Sequence, residues 1–483
     1  MIIDSFSQAL YVKILQIICR IFIIMKTSKT ANSLNFIALY FLFFGWGFVT
    51  CLNDLLTPIF KGLFSISHFQ ANLVAFAFFT AYFIGSLIYV LAAKFGINYF
   101  ERLGYKGLIL LGLALSTIGC LIFIPAAAYK NYGLFLSGLF TIGFGFTFLQ
   151  ISANPLVLIT GNPETGASRL NLAAGFNSLA TAIAPLIGVY VFYELLQVKE
   201  NSGNLKYPYI ILAGFFMLLA FIIWKFLHTK EEYSASHETG GKLFALNHLN
   251  LVFAMGAIFF YVGSEVTIGT NLVAFLKDPH TIGLEESSAG KLLAFYWGGA
   301  MIGRFLGSIA LGKLNISSKF LLMILTSAAL TLFMVYSVGN VESELSYYVI
   351  FQALAILLLL SCKSSPRLNL IMFSVVNIAN LIAAILLHNT MFAAWSILSI
   401  GIFNSVMWPN IFDLGLANLG KFKEQGASLL VMMILGGALL PLIQGRIADV
   451  ANVVDSYWVP VVGYAYILCY ALFYSKRQVK WIK

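Results

Sequence analysis

Long apolar stretches separated by short polar connections make up the chain from residue 34 onward. A helix needs about 20 consecutive, mainly apolar residues to cross a bilayer, and fourteen stretches approach or exceed that length. They lie at 34–60, 71–95, 106–127, 131–160, 169–195, 207–227, 248–276, 288–312, 318–338, 345–362, 368–388, 391–414, 424–447 and 457–476. Because uninterrupted apolar stretches of this length are typical of helices, the pattern predicts an all-α membrane protein with about 14 transmembrane helices.

The composition agrees with this prediction. Apolar residues make up 60% of the 483 positions and charged residues only 10%, whereas a soluble domain is about half apolar and a quarter charged. The mean hydropathy is +0.90. Such a chain buries its apolar surface in the lipid bilayer and between its own helices, rather than in separate soluble cores.

The net charge of +10 raises the alternative of a nucleic-acid-binding protein. However, the basic residues concentrate in alternate connections, which include Arg102, Lys225, Lys313, Lys363 and Lys421, and the intervening connections hold fewer. This alternation follows the positive-inside rule, which places both termini in the cytoplasm. The charge therefore indicates membrane topology, and nucleic acid is not an expected partner.

The polar segment 229–247 is the one long interruption between spans. It predicts a cytoplasmic linker between a first half at 34–228 and a second half at 248–476, followed by a short cytoplasmic tail at 477–483.

The segment 1–33 is expected to be cytoplasmic. Its apolar run is short and is interrupted by Arg20, and no small-residue cleavage site follows, which argues against a signal peptide. Since Met25 opens an ordinary cytoplasmic N-terminus, we expect that residues 1–24 are a misassigned start.

Two segments at corresponding places in the halves resemble each other. Glu164-Thr-Gly-Ala-Ser168 leads into Ala184-Pro-Leu-Ile-Gly188, and Glu424-Gln-Gly-Ala-Ser428 leads into Leu440-Pro-Leu-Ile-Gln-Gly445. The agreement at both ends indicates a duplication into two parallel six-helix halves, an arrangement known for membrane transporters. Counting six helices from each end leaves an inserted helix pair near 318–362.

Ionisable residues inside spans are costly and are functional candidates. Asp54 shares a helical face with Trp46 and Thr50, so it is a candidate for a protonatable or cation-binding switch, the alternative being a carboxyl that reaches water at the helix end. Glu265, one turn after Tyr261, could line the same cavity, pair with Arg304 or cap a helix break.

Uncharged polar side chains suit a neutral polyol, whose hydroxyls need both donors and acceptors. The alternative is that they only join helices to each other. The concentration of such groups in the first, fourth and fifth spans favours a polar cavity. The candidate substrate-binding residues are Asn53, Gln150, Asn154 and Asn177 in the first half and Trp297, Asn404, Trp408 and Gln444 in the second.

Other classes of function lack their motifs. No phosphate-binding GxxxxGK[ST] appears, so an ATP-driven pump is not supported. The five cysteines and six histidines form no metal-ligand pattern, and no nucleophile constellation indicates an enzyme. We therefore expect neither a metal site nor a cofactor.

Several segments resemble the fucose/glucose/galactose permease family of the major facilitator superfamily, and the resemblance covers nearly the whole chain from about residue 35. The most specific are Cys51-Leu-Asn-Asp54, Leu149-Gln-Ile-Ser-Ala-Asn-Pro155, Ser168-Arg-Leu-Asn-Leu-Ala-Ala-Gly-Phe-Asn-Ser178, Tyr296-Trp-Gly-Gly-Ala-Met-Ile-Gly-Arg-Phe305, Gly401-Ile-Phe-Asn-Ser-Val-Met-Trp-Pro409 and Gly436-Gly-Ala-Leu-Leu-Pro-Leu-Ile-Gln-Gly445.

The resemblance implies sugar import by alternating access, coupled to protons or sodium, in a bacterial inner membrane. In the fucose–proton branch, a carboxylate at the position of Asp54 is essential for coupling, and a Glu stands where this chain has Gln150. The glutamine is typical of the glucose/galactose branch, and a subset of that branch also has the inserted pair. Asn177 matches a sugar-facing asparagine of the family.

The leading interpretation is a monomeric hexose–cation symporter of the glucose/galactose type. An L-fucose–proton symporter, or a transporter of another neutral sugar or amino sugar, is the alternative within transport. A non-transporting membrane scaffold or receptor is the alternative from a different class.

Overall fold

The computed structural model describes residues 31–54, 68–95, 99–189, 191, 204, 206–228, 244–338 and 345–474. The expected start at Met25, most of the linker and the C-terminal tail lie outside the described residues. At Asn53 and Asp54 the description is limited to the backbone.

Among the described residues, the first half contains six long helices. They are α1 (Ala31–Asp54), α2 (His68–Lys94), α3 (Tyr99–Ala128), α4 (Tyr132–Ile159), α5 (Gly166–Val189) and α6 (Lys206–Phe226).

The second half begins with α7 (Leu249–Lys277) and α8 (Glu286–Leu311), followed by the inserted pair, α9 (Ile316–Val338) and α10 (Leu345–Ser361). It continues with α11 (Pro366–Leu386), α12 (Met391–Asn404), α13 (Met407–Leu416), α14 (Lys423–Met432), α15 (Gly436–Val450), α16 (Val453–Ser456) and α17 (Trp458–Phe473).

Within the described residues every long element is a helix, and eleven helices are long and apolar enough to cross a membrane. Two shorter apolar helices, Phe76–Ala92 and Leu345–Ser361, accompany them. The predicted all-α membrane fold is thereby confirmed.

The two halves repeat the same helix pairs. In the first half α1 packs against α5, α2 against α4, and α3 against α6; in the second half α7 packs against α15, α8 against α12, and α11 against α17. The repeat extends to a helix cap. Lys106 on α3 donates to the carbonyl of Trp224 at the end of α6 (2.7 Å), and Arg367 on α11 donates to the carbonyl of Ala471 at the end of α17 (2.8 Å). Both cations satisfy carbonyls that a helix end leaves unpaired.

The inserted pair is fixed to the second half. The hydroxyl of Tyr348 on α10 donates to the carbonyl of Phe295 on α8 (2.9 Å), and the Tyr348 and Phe295 rings pack edge-on. Within the pair, Ser327 on α9 donates to Gln352 on α10 (2.7 Å). An amide shared between apolar helices stabilises their contact, since lipid offers it no partner.

The predicted spans 391–414 and 424–447, the twelfth and thirteenth, are each broken, although the sequence pattern predicted continuous helices there. Ser405 and Val406 separate α12 from α13, and the 3₁₀ turn Met433–Leu435 separates α14 from α15. The Ser405 hydroxyl donates to the carbonyl of Ile402 (2.5 Å), a local bond that competes with the helical ladder.

We call the end of the bundle where α6 ends and α7 begins the linker face, and the other end the opposite face. Helices α1, α3, α5, α7 and α11 run from the linker face to the opposite face, because the spans alternate in direction.

We expect Gly401→Ala to reduce the yield of folded protein strongly. A Cβ added at Gly401 would lie 1.9 Å from the backbone carbonyl oxygen of Tyr296, so α8 and α12 would have to move apart. Overpacking of this kind costs about 1–3 kcal/mol or more. The measurement is the monodisperse fraction and the Tm in detergent.

The control is Gly214→Ala in α6, where an added Cβ meets nothing within 4 Å. This variant should be as stable as the wild type or more so, since alanine is the better helix former. Equal behaviour of the two variants would contradict the close α8–α12 contact.

Candidate functional site

Arg304 on α8 joins the two halves near the middle of the bundle. Its Nη1 donates to the hydroxyl of Ser178 on α5 of the first half, and its Nη2 lies 3.5 Å from Oε1 of Glu265 on α7. The Arg304 and Glu265 side chains are only 16% and 12% exposed. Since a charge removed from water is costly unless it is paired, each of these groups depends on the other.

Tyrosines hold Glu265 in place. The Tyr261 hydroxyl, one turn earlier on α7, donates to Glu265 Oε1 (2.8 Å), and the Tyr296 hydroxyl from α8 donates to the Glu265 carbonyl (2.8 Å). The sequence left several roles open for Glu265, and the structure shows the pairing with Arg304.

Asn404 lies beneath this ion pair and is fully buried. Its Nδ2 donates to the Tyr296 hydroxyl (3.1 Å), and its Oδ1 accepts from Asn377 on α11 (3.1 Å) and from Tyr464 on α17 (2.6 Å). These bonds connect α8, α11, α12 and α17 below Glu265. The structure thus gives Asn404 a supporting position, and direct contact with a substrate stays a prediction.

Two tryptophans flank the ion pair. The Trp408 ring lies 6.4 Å from the Tyr261 ring, and the Trp297 ring packs edge-on against Tyr296 at 5.1 Å. Trp297 precedes Arg304 by two helical turns on the same face and is 42% exposed. Large flat rings near a polar centre provide apolar surface on which a sugar ring can pack.

The corresponding part of the first half contains Gln150, Tyr82 and Trp46. The buried Tyr82 side chain on α2 lies next to Gln150 on α4 and Trp46 on α1, and the polar groups of all three face each other. Trp46 also packs edge-on against Phe146, with ring centroids 6.1 Å apart. An amide, a hydroxyl and an indole from three helices therefore meet at one place.

Asn177 contacts a neighbouring helix rather than this cluster. Asn177 donates to the Phe43 carbonyl of α1 (2.9 Å), and the close approach of α1 and α5 at this point requires a glycine, Gly47. Asn154 lies one turn from Gln150 toward the linker face and is buried, and its Nδ2 has no hydrogen-bond partner among the described residues.

Gln444 lies apart from the other candidates, toward the opposite face. It is fully buried, accepts from Asn271 (3.2 Å) and donates to Ser456 (3.1 Å). Asn53 and Asp54 are the last two residues of α1, and their side chains fall outside the described part of the chain. On the same helix, Thr50 donates to the Trp46 carbonyl (2.9 Å).

Sequence reasoning missed four members of the two clusters: Tyr82, Tyr296, Asn377 and Tyr464. Asn377 could have been found as an amide within a span. The three tyrosines carry no such signal, because the chain has 23 tyrosines and most apolar helices in a membrane contain some.

The duplicated Glu-x-Gly-Ala-Ser segments close the linker face. In the first copy, Glu164 forms an ion pair with Lys313 beyond α8, and the Ser168 hydroxyl donates to the Ser308 carbonyl on α8 (2.7 Å). The second contact joins α5 of the first half to α8 of the second, and the ion pair joins the turn before α5 to the residues just after α8.

The second copy makes the mirror contacts. Glu424 accepts from the Tyr105 hydroxyl on α3 (2.8 Å), and the Ser428 hydroxyl donates to the Ser86 carbonyl on α2 (3.2 Å). In both copies a Glu and a Ser on one half contact the other half, so the repeat in the sequence corresponds to a pseudo-symmetric closure.

The ion pair of Glu164 is exposed to solvent. The hydrogen bond and the charge of Lys313 hold the pKa of Glu164 below its ordinary value. A lowered pKa means that the pair contributes to closure above the ordinary carboxyl pKa and is lost as the pH falls through the lowered value. Closure of the linker face through this pair therefore persists at neutral pH.

The described residues contain no cluster of three or more His, Cys, Asp or Glu that could hold a metal ion.

Comparison with known proteins identifies relatives along nearly the whole chain. The sequence profile of the Major Facilitator Superfamily matches residues 36–365. The glucose/galactose transporter of Brucella abortus is 38% identical over 446 residues, which cover 91% of this chain and 93% of that protein. The putative glucose/galactose transporter of Helicobacter pylori is 33% identical and covers 93% of this chain and 99% of its own length.

The fold is similar to that of FucP, the fucose:proton symporter of Escherichia coli. A crystal structure of FucP in the outward conformation superimposes with a TM-score of 0.72 at 26% identity, over 92% of this chain and 100% of that one.

We expect Tyr105→Phe to open the linker face. The change removes the donor to Glu424, a carboxyl that is only 8% exposed. Loss of a hydrogen bond to such a group costs about 1–3 kcal/mol, which corresponds to a shift from closed to open of about five- to 150-fold. Spin labels at the exposed positions Lys225 and Ser317, one in each half, measure the separation.

The control is Tyr129→Phe, because the Tyr129 side chain is 76% exposed and lies at the opposite face. It should leave the distance distribution unchanged. An unchanged distribution in Tyr105→Phe would show that the bond to Glu424 does not contribute to closure.

Proposed function

The chain belongs to the Major Facilitator Superfamily, and we propose that it is a secondary active transporter that imports a hexose such as glucose or galactose together with a cation. The proposal rests mainly on the arrangement of side chains in the middle of the bundle. There, Arg304 and Glu265 form a buried ion pair that is joined to the first half through Ser178 and has Trp297 and Trp408 beside its tyrosines. The first half contributes the polar cluster of Gln150, Tyr82 and Trp46. The names of the relatives, glucose/galactose transporters, support the choice of sugar.

The hydrogen-bonding groups favour a neutral polyol over an ion. Gln150, Tyr82 and Trp46 supply donors and acceptors that keep their character at every physiological pH. Trp297 and Trp408 supply apolar surface from the second half. A charged substrate would need an unpaired countercharge, and Arg304 is already paired with Glu265.

Coupling is assigned to Asp54 and to Glu265. A carboxylate that is removed from water favours its protonated or cation-bound form, so its occupancy can be linked to the direction in which the cavity opens. Neutralising Glu265 would weaken its attraction to Arg304, which holds Ser178 of the other half. The coupling cation is a proton or a sodium ion, and no other cofactor is proposed.

The described state is proposed to be closed toward the cytoplasm. The positive-inside rule assigns the linker face to the cytoplasm of a bacterial inner membrane, with both termini on that side. The contacts of Glu164 and Glu424 then close the cytoplasmic side of a monomeric transporter. The similarity to FucP in its outward conformation supports this orientation.

A second candidate is an L-fucose–proton symporter, which the similarity to FucP favours. Gln150 argues for the glucose/galactose type, because an amide binds a hydroxyl but cannot carry a proton as a second acid would.

The test is uptake of a labelled sugar panel into vesicles that contain the full chain, with sodium and proton gradients imposed separately. We expect uphill accumulation of glucose or galactose under one of the two gradients. Accumulation of fucose alone, under a proton gradient, would select the second candidate. A chain that moves no sugar would be a scaffold or receptor.

In the same vesicles, Asp54→Asn should abolish uphill accumulation but retain counterflow, because the sugar site remains while the coupling carboxylate is lost. The matched change Asp449→Asn, at an exposed position near the opposite face, should leave both activities intact. Normal accumulation by Asp54→Asn would remove this residue from the coupling role.

We expect Gln150→Ala to raise the KM for the sugar about tenfold, since a lost hydrogen bond costs about 1–1.5 kcal/mol. The control is Gln352→Ala in the inserted pair, a buried glutamine bonded to Ser327 and Thr331. That variant should lower the Tm without changing KM. Unchanged KM in Gln150→Ala would leave this residue with a role in helix packing alone.

A further inference from the structure

At the linker face, a cavity of about 110 Å³ lies between the end of α8 and the inserted pair. Its polar side is formed by Lys319, Lys363 and Ser364, and its apolar side by Ile316, Leu359 and Leu360. A single water occupies about 30 Å³ of liquid, so the cavity can hold a compact polar group but not a lipid chain.

Hydrogen bonds hold the polar groups of the cavity in fixed positions. Lys319 Nζ donates to the Ala310 carbonyl (2.6 Å) and to the Ser364 hydroxyl (2.8 Å), and that hydroxyl donates to the same carbonyl (2.9 Å). An ammonium has three donors, and two of them are used here. The third remains for a ligand.

The backbone at Lys363 and Ser364 supports this interpretation. The two residues have φ angles of 48° and 61°, which lie in the left-handed region that residues other than glycine rarely adopt. Such backbone persists only where the surroundings hold it, and it is concentrated at functional sites. Here it brings the Ser364 hydroxyl to Lys319 and the Lys363 backbone to the cavity wall.

The charges around the cavity are positive. No carboxylate is found among its lining residues, and Lys363 is exposed and has no ion pair with any residue of the described part of the chain. The positive end of the α9 dipole also lies here, since α9 begins at Ile316. An anionic group fits these charges, and a cation does not.

The surroundings of the cavity are apolar and exposed. Phe320, Leu321 and Leu357 on the outer sides of α9 and α10 are 46%, 58% and 61% exposed. Because these helices cross the membrane, such side chains face lipid. A ligand with an anionic head in the cavity and acyl chains along these helices would satisfy both surfaces.

We propose that this cavity binds the phosphate of an anionic phospholipid and thereby ties the inserted pair to α8. Basic pockets between helices at a membrane face have the chemistry that recognises such headgroups. The site is separate from the central cavity, and the proposal does not depend on what the chain transports.

The test uses the purified full chain in neutral detergent, with native mass spectrometry and thermal unfolding. Added phosphatidylglycerol or cardiolipin should remain bound and raise the Tm by several degrees, whereas phosphatidylcholine should do neither. Lys363→Asn should weaken anionic lipid binding about fivefold. Asparagine tolerates the left-handed backbone and keeps the bond from the N–H of residue 363 to the Leu360 carbonyl (3.4 Å). The fold should therefore be retained, because the Lys363 side chain has no hydrogen bond or ion pair within the described part of the chain.

The matched control is Lys225→Asn, which removes the same charge at the same face, at the end of α6 and away from the cavity. It should leave lipid binding unchanged. Stabilisation by millimolar inorganic phosphate alone, lost in Lys363→Asn, would assign the anion site to free phosphate. Equal binding of phosphatidylcholine, or equal losses in the two variants, would overturn the proposal and leave Lys319 as a cap of α8.

Discussion

A bilayer provides no partner for a polar group, and this constraint is felt most strongly at Arg304. The guanidinium can be buried only because Glu265 lies within 3.5 Å and Ser178 accepts a hydrogen bond from the other half. Glu265 in turn depends on Tyr261 and Tyr296, and Tyr296 depends on Asn404. Three helices of the second half, α7, α8 and α12, are therefore linked by the groups that satisfy one buried cation.

The duplication explains why closure has two sites rather than one. Each half carries the same short segment at the start of an equivalent helix, and each segment reaches across to the other half. The glutamates of the two segments contact different kinds of partner. Glu164 is exposed and meets a lysine, whereas Glu424 is buried and meets the Tyr105 hydroxyl. The same geometry is thus held by a charge contact at one site and by a neutral donor at the other.

The sequence predicted the helical fold, the inserted pair and the pairing of Glu265 with Arg304 as one alternative, because apolar length and buried charge leave strong signals. It did not predict the breaks at Ser405 and at Met433, because the apolar pattern continues through both positions and the local bond of Ser405 leaves no signal in that pattern. The sequence also could not distinguish the roles of the candidate amide side chains. Gln150 and Gln444 look alike in the sequence, yet Gln150 meets Tyr82 and Trp46 whereas Gln444 is bonded to Asn271 and Ser456.

The break between α14 and α15 has a mechanical consequence. Helix α5 is unbroken between Ser168 and Ser178, so a displacement at Ser168 moves Ser178 at mid-depth. Its counterpart in the second half is jointed, because the stiff segment that carries Glu424 and Ser428 ends at Met432. When the contacts of Glu424 and Ser428 break, α14 can therefore tilt while α15 stays packed against α7. The Glu-x-Gly-Ala-Ser segments of the two halves are similar in sequence. In the first half, however, a movement of this segment is passed along α5 to mid-depth, whereas in the second half it ends at the break after α14.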